Sequence, residues 1–100
     1  MEAGFYDTSL NRPVTNNHLH WTGSKTDLVE LIYALKTSGV INNGDYQIKE
    51  LIGVFSDIFN IELGNFYKTF SEIRNRANNQ TKFINKLALN LVKKIEIDDI

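Results

Sequence analysis

The chain has 100 residues, 42% hydrophobic, 11% aromatic and 23% charged, with no cysteine; that is one domain with enough apolar surface for a modest core, and too little for two. Without Cys there is no disulfide framework, thiolate nucleophile or Cys-based metal site, and a reducing, cytoplasmic setting is expected. The net charge of −1 conceals a polarised chain, because residues 63–94 carry seven Lys/Arg against the single acid Glu72 while the rest holds four basic side chains and eleven acids. Such polarity suggests an anionic partner for one face. No apolar run approaches the roughly 18 residues of a membrane span, and no basic stretch opens the chain ahead of an apolar one, so neither membrane insertion nor secretion is expected.

Residues 1–17 contain Gly4, Arg12-Pro13 and Thr15-Asn16-Asn17 without a sustained period and read as a flexible tail or linker. The domain proper is expected over 18–97. His18 to Thr22 alternates polar and apolar residues and suits a short strand, with Val40-Ile41 as a possible partner, giving a minimal two-stranded β element. From Ser24 the period is helical: Leu28, Leu31, Ile32 and Leu35 share a stripe, Ser24 and Asp27 form a capping signal, and Gly39 is placed to end a helix over 25–38. A second helix is expected over 46–59, capped by Asp45, with Ile48, Leu51, Ile52, Phe55, Ile58 and Phe59 on its apolar side. After a short turn at Asn60-Ile61-Glu62, a third helix over 63–76 buries Leu63, Phe66, Tyr67, Phe70 and Ile73, and close packing on the second helix would explain Gly64 in its first turn. Thr81 can cap a fourth helix whose apolar face is Ile84, Leu87, Ala88, Leu91, Val92 and Ile95. The fold class is mainly α, a four-helix helix-turn-helix or winged-helix-like domain.

Projected at 100° per residue, the third helix gathers Asn65, Lys68, Thr69, Glu72, Asn75 and Arg76 opposite its buried stripe. A row of amide, basic and hydroxyl groups on the second helix of a helix-turn-helix unit is what base reading in the major groove needs. A solvated helix face has the same composition, and the pattern alone leaves both open. Arg74 falls on the flank of the buried stripe, where a helix C-terminus or a carboxylate from another helix is its natural partner. Asn79, Thr81 and Lys82 belong to a polar loop that can take a phosphate on the free N–H groups opening the fourth helix; an ordinary N-cap explains the loop equally well. Lys86, Lys93 and Lys94 fit a solvated face. His18 and His20 are spaced to share a metal, but no further His or Cys exists to complete the site, and no metal or cofactor is expected. No G-x-S-x-G, phosphate-cradling loop or nucleophile-base pairing is present, so catalysis is not expected.

The run Trp21-Thr22-Gly23-Ser24-Lys25-Thr26-Asp27-Leu28-Val29-Glu30-Leu31-Ile32-Tyr33-Ala34-Leu35 resembles the opening of the C-terminal domain of RteC-family proteins, regulators found on Bacteroides conjugative transposons. Leu63-Gly64-Asn65-Phe66-Tyr67 with Thr69-Phe70, then Ile73-Arg74 and Arg76, then Thr81-Lys82-Phe83 and Leu87, resemble a second block of that family. The resemblance spans about residues 18 to 95 and leaves out the first 17. It implies a DNA-binding transcriptional regulator of helix-turn-helix or winged-helix type, acting on the tetracycline-regulated excision of a mobile element, often behind a separate N-terminal helical domain. On that view the chain is a C-terminal fragment or a short relative.

The leading expectation is therefore a cytoplasmic domain that binds double-stranded DNA through the third helix, with Asn65, Lys68, Thr69, Asn75 and Arg76 as contacts, Lys82 on the backbone and Glu72 reading a cytosine amino group or excluding other bases. A homodimer is compatible with it, Leu89 lying outside the main stripe of the fourth helix. The alternative is a helical protein-interaction module that docks an acidic partner, with Phe5, Tyr6 and Leu10 joining the interface.

Overall fold

A computed structural model describes residues 18–98 and, ahead of them, the backbone of two short strands. These are β1 (Tyr6–Asp7) and β2 (Arg12–Pro13), antiparallel, with Tyr6 opposite Pro13. The other residues of the expected tail, 1–5, 8–11 and 14–17, lie outside the described part. Four helices follow: α1 (Lys25–Ser38), α2 (Ile48–Phe59), α3 (Phe66–Arg74) and α4 (Lys82–Asp98).

Helix α1 has the bounds its local signals predict. The Ser24 hydroxyl oxygen accepts from the Asp27 N–H at 3.0 Å, and Gly39 closes the helix at φ 71°, donating its N–H to the Lys36 carbonyl. A side chain there would be held in the left-handed region, so glycine is the residue that stops the helix without strain. Helix α1 is also the hub of the fold, packed against α2, α3 and α4. Leu28, Val29 and Ile32 are fully buried and join Leu51 and Ile52 of α2, Leu63 of the following turn, and Phe66 and Ile73 of α3 in one core.

The expected two-stranded element is absent, and with it the winged-helix class. Residues 18–22 have no regular secondary structure and belong to no sheet. The Trp21 N–H donates to the Phe59 carbonyl at the end of α2 (3.1 Å), and its indole N–H donates to the Ser24 carbonyl (2.8 Å). Its ring stands edge-on to Phe59 and to Phe83, centroids 5.3 and 5.8 Å apart. The segment is thus tied to three helices and not to a strand partner. On the other side, Ile41 opens a 3-10 turn over Asn42–Gly44, in which Asn42 and Asn43 have φ of 48° and 55°. That bend carries the chain away from any pairing, and among the described residues no strand lies between α3 and α4. His18 and His20 are exposed ahead of α1, and among the described residues no group of three or more His, Cys, Asp or Glu is placed to hold a metal.

Two helix starts differ from expectation. Helix α2 begins at Ile48 because Gln47 and Glu50 form a reciprocal capping box, Glu50 Oε1 accepting from the Gln47 N–H at 3.1 Å; Asp45 is not its cap, and Tyr46 packs on the core from the loop. Helix α3 begins at Phe66, so Gly64 precedes it. Gly64 has φ 60° and open space where a Cβ would stand; the backbone turn, and no close helix contact, is what calls for glycine there.

Candidate nucleic-acid interface

Helix α3 is laid on α1 by its inner side. Phe66 and Ile73 are buried, Phe70 is half-buried, and the Phe70 ring stacks on Tyr33 with centroids 4.0 Å apart and planes 11° from parallel. Burial, and after it the nearby Tyr67, push the Tyr33 phenol above the ordinary tyrosine range. The connection from α2 begins at Asn60, in the left-handed conformation with φ 52°, and ends at Asn65. This is longer than the three or four residues of a tight helix-turn-helix.

The outer side of α3 is not the row that simple projection gives. Lys68, Glu72 and Asn75 are exposed as expected, but so are Tyr67, at 59%, and Arg74. The apolar pattern assigns Tyr67 to the core, and the structure does not. It stands seven residues before Arg74, two turns along the same side, with the half-buried Ser71 between them. The Arg74 guanidinium makes one long contact, 3.5 Å, with the Ser71 hydroxyl, and its carbonyl accepts from the Gln80 side-chain amide. The partner expected for Arg74, a carboxylate of another helix, belongs instead to Arg76.

Arg76 lies beyond the end of α3 and turns inward. Its Nη1 donates to Glu30 Oε1 at 2.7 Å and to the Gln80 carbonyl at 3.0 Å, and the pair is 19% and 5% exposed. The other Glu30 oxygen accepts from the backbone N–H groups of Phe83 and Ile84, at 2.8 and 2.9 Å. A carboxylate from α1 therefore caps the N-terminus of α4, matching negative charge to the positive end of the helix dipole. This corrects two expectations at once. Arg76 is a packing residue and not an outward reader, and two of the N–H groups opening α4, those of Phe83 and Ile84, are already taken by Glu30.

Asn65 and Thr69 are likewise drawn into the fold. The Asn65 side-chain oxygen accepts from the Lys68 N–H at 3.1 Å, making Asn65 the N-cap of α3, and the half-buried Thr69 donates its hydroxyl proton to the Asn65 carbonyl at 3.2 Å. Replacing Asn65 by Ala should lower stability by about 1 kcal/mol, measured by urea unfolding; an unchanged midpoint would show that the cap contributes nothing. Asn79, at φ 46°, accepts from the Asn85 amide at 2.7 Å, while Thr81 and Lys82 are exposed. The site that remains is a row of the exposed Tyr67, Lys68, Arg74 and Asn75, with the half-buried Ser71 among them and Glu72 at its edge. Sequence reasoning missed Tyr67 and Arg74 as exposed residues. The signal that could have found them is the Asn65 cap: with the helix starting at Phe66, Leu63 leaves its stripe, and the remaining Phe66, Phe70 and Ile73 put Tyr67 and Arg74 on its flank.

A protein-family model described as "RteC protein" matches residues 3–99. The match takes in most of the first 17 residues, which the resemblance read from the sequence leaves out. Neither the curated proteins nor the solved structures yield a match. Among the described residues, no helix is long and apolar enough to cross a membrane.

Proposed function

The chain belongs to the RteC family, and from that premise we propose that it is a cytoplasmic, non-catalytic DNA-binding domain of a transcriptional regulator acting on the excision and transfer genes of a mobile element. It reads double-stranded DNA with α3 in the major groove. The observation that carries this reading is the outer side of α3, where Tyr67, Lys68, Arg74 and Asn75 are exposed around the half-buried Ser71, on a helix fixed to the core by Phe66, Phe70 and Ile73. The major groove admits one helix, and it rewards these groups: Arg pairs with guanine, Asn with adenine, Ser with either, while Lys holds phosphate and Glu72 takes a cytosine amino group or rejects other bases. Lys68 and Lys82 supply backbone attraction.

Fluorescence anisotropy against labelled duplexes, among them regions upstream of mobile-element excision genes, tests the reading over a salt series from about 50 to 200 mM. Affinity should fall steeply with salt while a preference for one duplex survives. A folded chain that binds no duplex would overturn it.

A further inference from the structure

Past the buried Phe83 and half-buried Ile84, every residue of α4 from Asn85 to Asp98 is exposed, so the apolar stripe that the sequence predicts for this helix lies uncovered among the described residues. The exposed apolar group whose neighbours bear on what it meets is Tyr67. Within α3 it is the one large apolar side chain that is exposed, and it belongs neither to the core nor to the residues packed on the core. It stands in the first turn of the helix, beside Lys68 and two turns before Arg74. Its ring is nevertheless held in place. It lies against the buried Phe66, with centroids 4.3 Å apart and planes 35° from parallel, and near enough to Tyr33 of α1 to raise, after burial, the pKa of that residue. A ring held in this way loses little freedom when a partner packs on it.

Resting on the reading of α3 as a major-groove helix, we propose that the Tyr67 ring selects thymine by packing on its C5-methyl group. Of the groups that base pairs present in the major groove, that methyl is the apolar one, and the others donate or accept hydrogen bonds. The outer side of α3 has polar partners for the others and only the Tyr67 ring for the methyl: Arg74 suits guanine, Asn75 suits adenine and Lys68 suits phosphate. The position fits as well, because the N-terminal residues of a recognition helix are those that contact base edges. The spacing then sets a register. Tyr67 and Arg74 are seven residues apart on the same side, which is about 10.5 Å of helix, or about three base-pair steps of roughly 3.4 Å. The thymine therefore lies about three base pairs from the guanine that Arg74 reads. Ser71, midway and half-buried, is set back from the groove, so the bases between the two are less strictly specified.

Selection from random duplexes with the whole chain supplies the preferred one, and each of its thymines is then replaced in turn by deoxyuridine, which lacks the methyl and nothing else. Anisotropy should show the wild-type chain losing about fourfold in affinity at one thymine, the worth of one buried methyl. That thymine should lie about two to four base pairs from the guanine at which Arg74→Ala loses its preference. Tyr67→Ala, at an exposed position outside the core, should keep the wild-type Tm and bind the thymine and uracil duplexes alike. Tyr67→Phe, which keeps the ring, should discriminate as the wild type does. The ratio of the two affinities does not depend on how much of a variant is folded, so it reads the contact and not the fold. A wild-type chain indifferent to every replacement overturns the proposal and leaves DNA binding standing. So does a discrimination that survives Tyr67→Ala, or one lost in Tyr67→Phe, where the hydroxyl would be the reader. A folded chain that selects no duplex overturns the reading of α3 itself, and the thymine contact with it.

Discussion

Replacing Glu30 by Ala should destabilise the domain by about 3–5 kcal/mol, the usual cost of removing one partner of a buried ion pair. Glu30 holds three donors in different parts of the fold: the Arg76 guanidinium and the N–H groups of Phe83 and Ile84. Its loss leaves the half-buried Arg76 charge facing α1 without compensation, and strips the first turn of α4 of the acceptor for two N–H groups that no other helical residue can serve. Domains of this length have roughly 5–15 kcal/mol in total, so the variant should unfold with a Tm more than about 10 °C lower. Glu30→Gln separates the two roles. It keeps an oxygen for the α4 N–H groups and loses the charge opposite Arg76, so its loss should be intermediate. Calorimetry and urea unfolding on both variants decide the matter: a Glu30→Ala loss under about 1 kcal/mol, the level of an exposed pair, would mean that the carboxylate does not tie α1, α3 and α4 together.

Glu30 also marks where the sequence stops being legible. The ends of α1 can be read because Ser24, Asp27 and Gly39 act through neighbours three residues away. Which side of α1 is buried cannot, since a helix packed on three others has no single stripe: Val29 and Glu30 are buried, while Leu31 and Leu35 are only partly so. The partners of Glu30 stand 46 to 54 residues downstream, and nothing in the local pattern of α1 announces them. The same distance effect exchanges the two arginines. Arg74 and Arg76 are two residues apart, and which one turns inward is set by where α3 ends and by a carboxylate brought from α1. On α4 the failure is of another kind, for the apolar stripe exists as its spacing predicts and only its cover is missing among the described residues. Periodicity reports that a face is apolar, and says nothing about what lies over it.

Arg74→Ala should therefore separate reading from folding, and Arg76→Ala should not. Arg74 is exposed, with one long contact to Ser71, so its truncation should change stability by no more than about 0.5 kcal/mol, as surface substitutions do. On DNA the same truncation should remove about 1–3 kcal/mol from the preferred duplex and much less from others, as the removal of a base-reading side chain does. Lys68→Ala provides the contrast: without its phosphate anchor, affinity should be lower on all duplexes alike, and the slope of log affinity against log salt reduced by about one. Arg76→Ala should lower binding too, but by way of the fold, because it leaves Glu30 buried with only the α4 N–H groups for partners and so should depress Tm together with affinity. Paired measurements of Tm and anisotropy on the three variants tell these cases apart. If Arg74→Ala leaves sequence preference unchanged while Arg76→Ala abolishes it with Tm intact, the outward and inward assignments of the two arginines are reversed, and α3 does not present to DNA the side described for it.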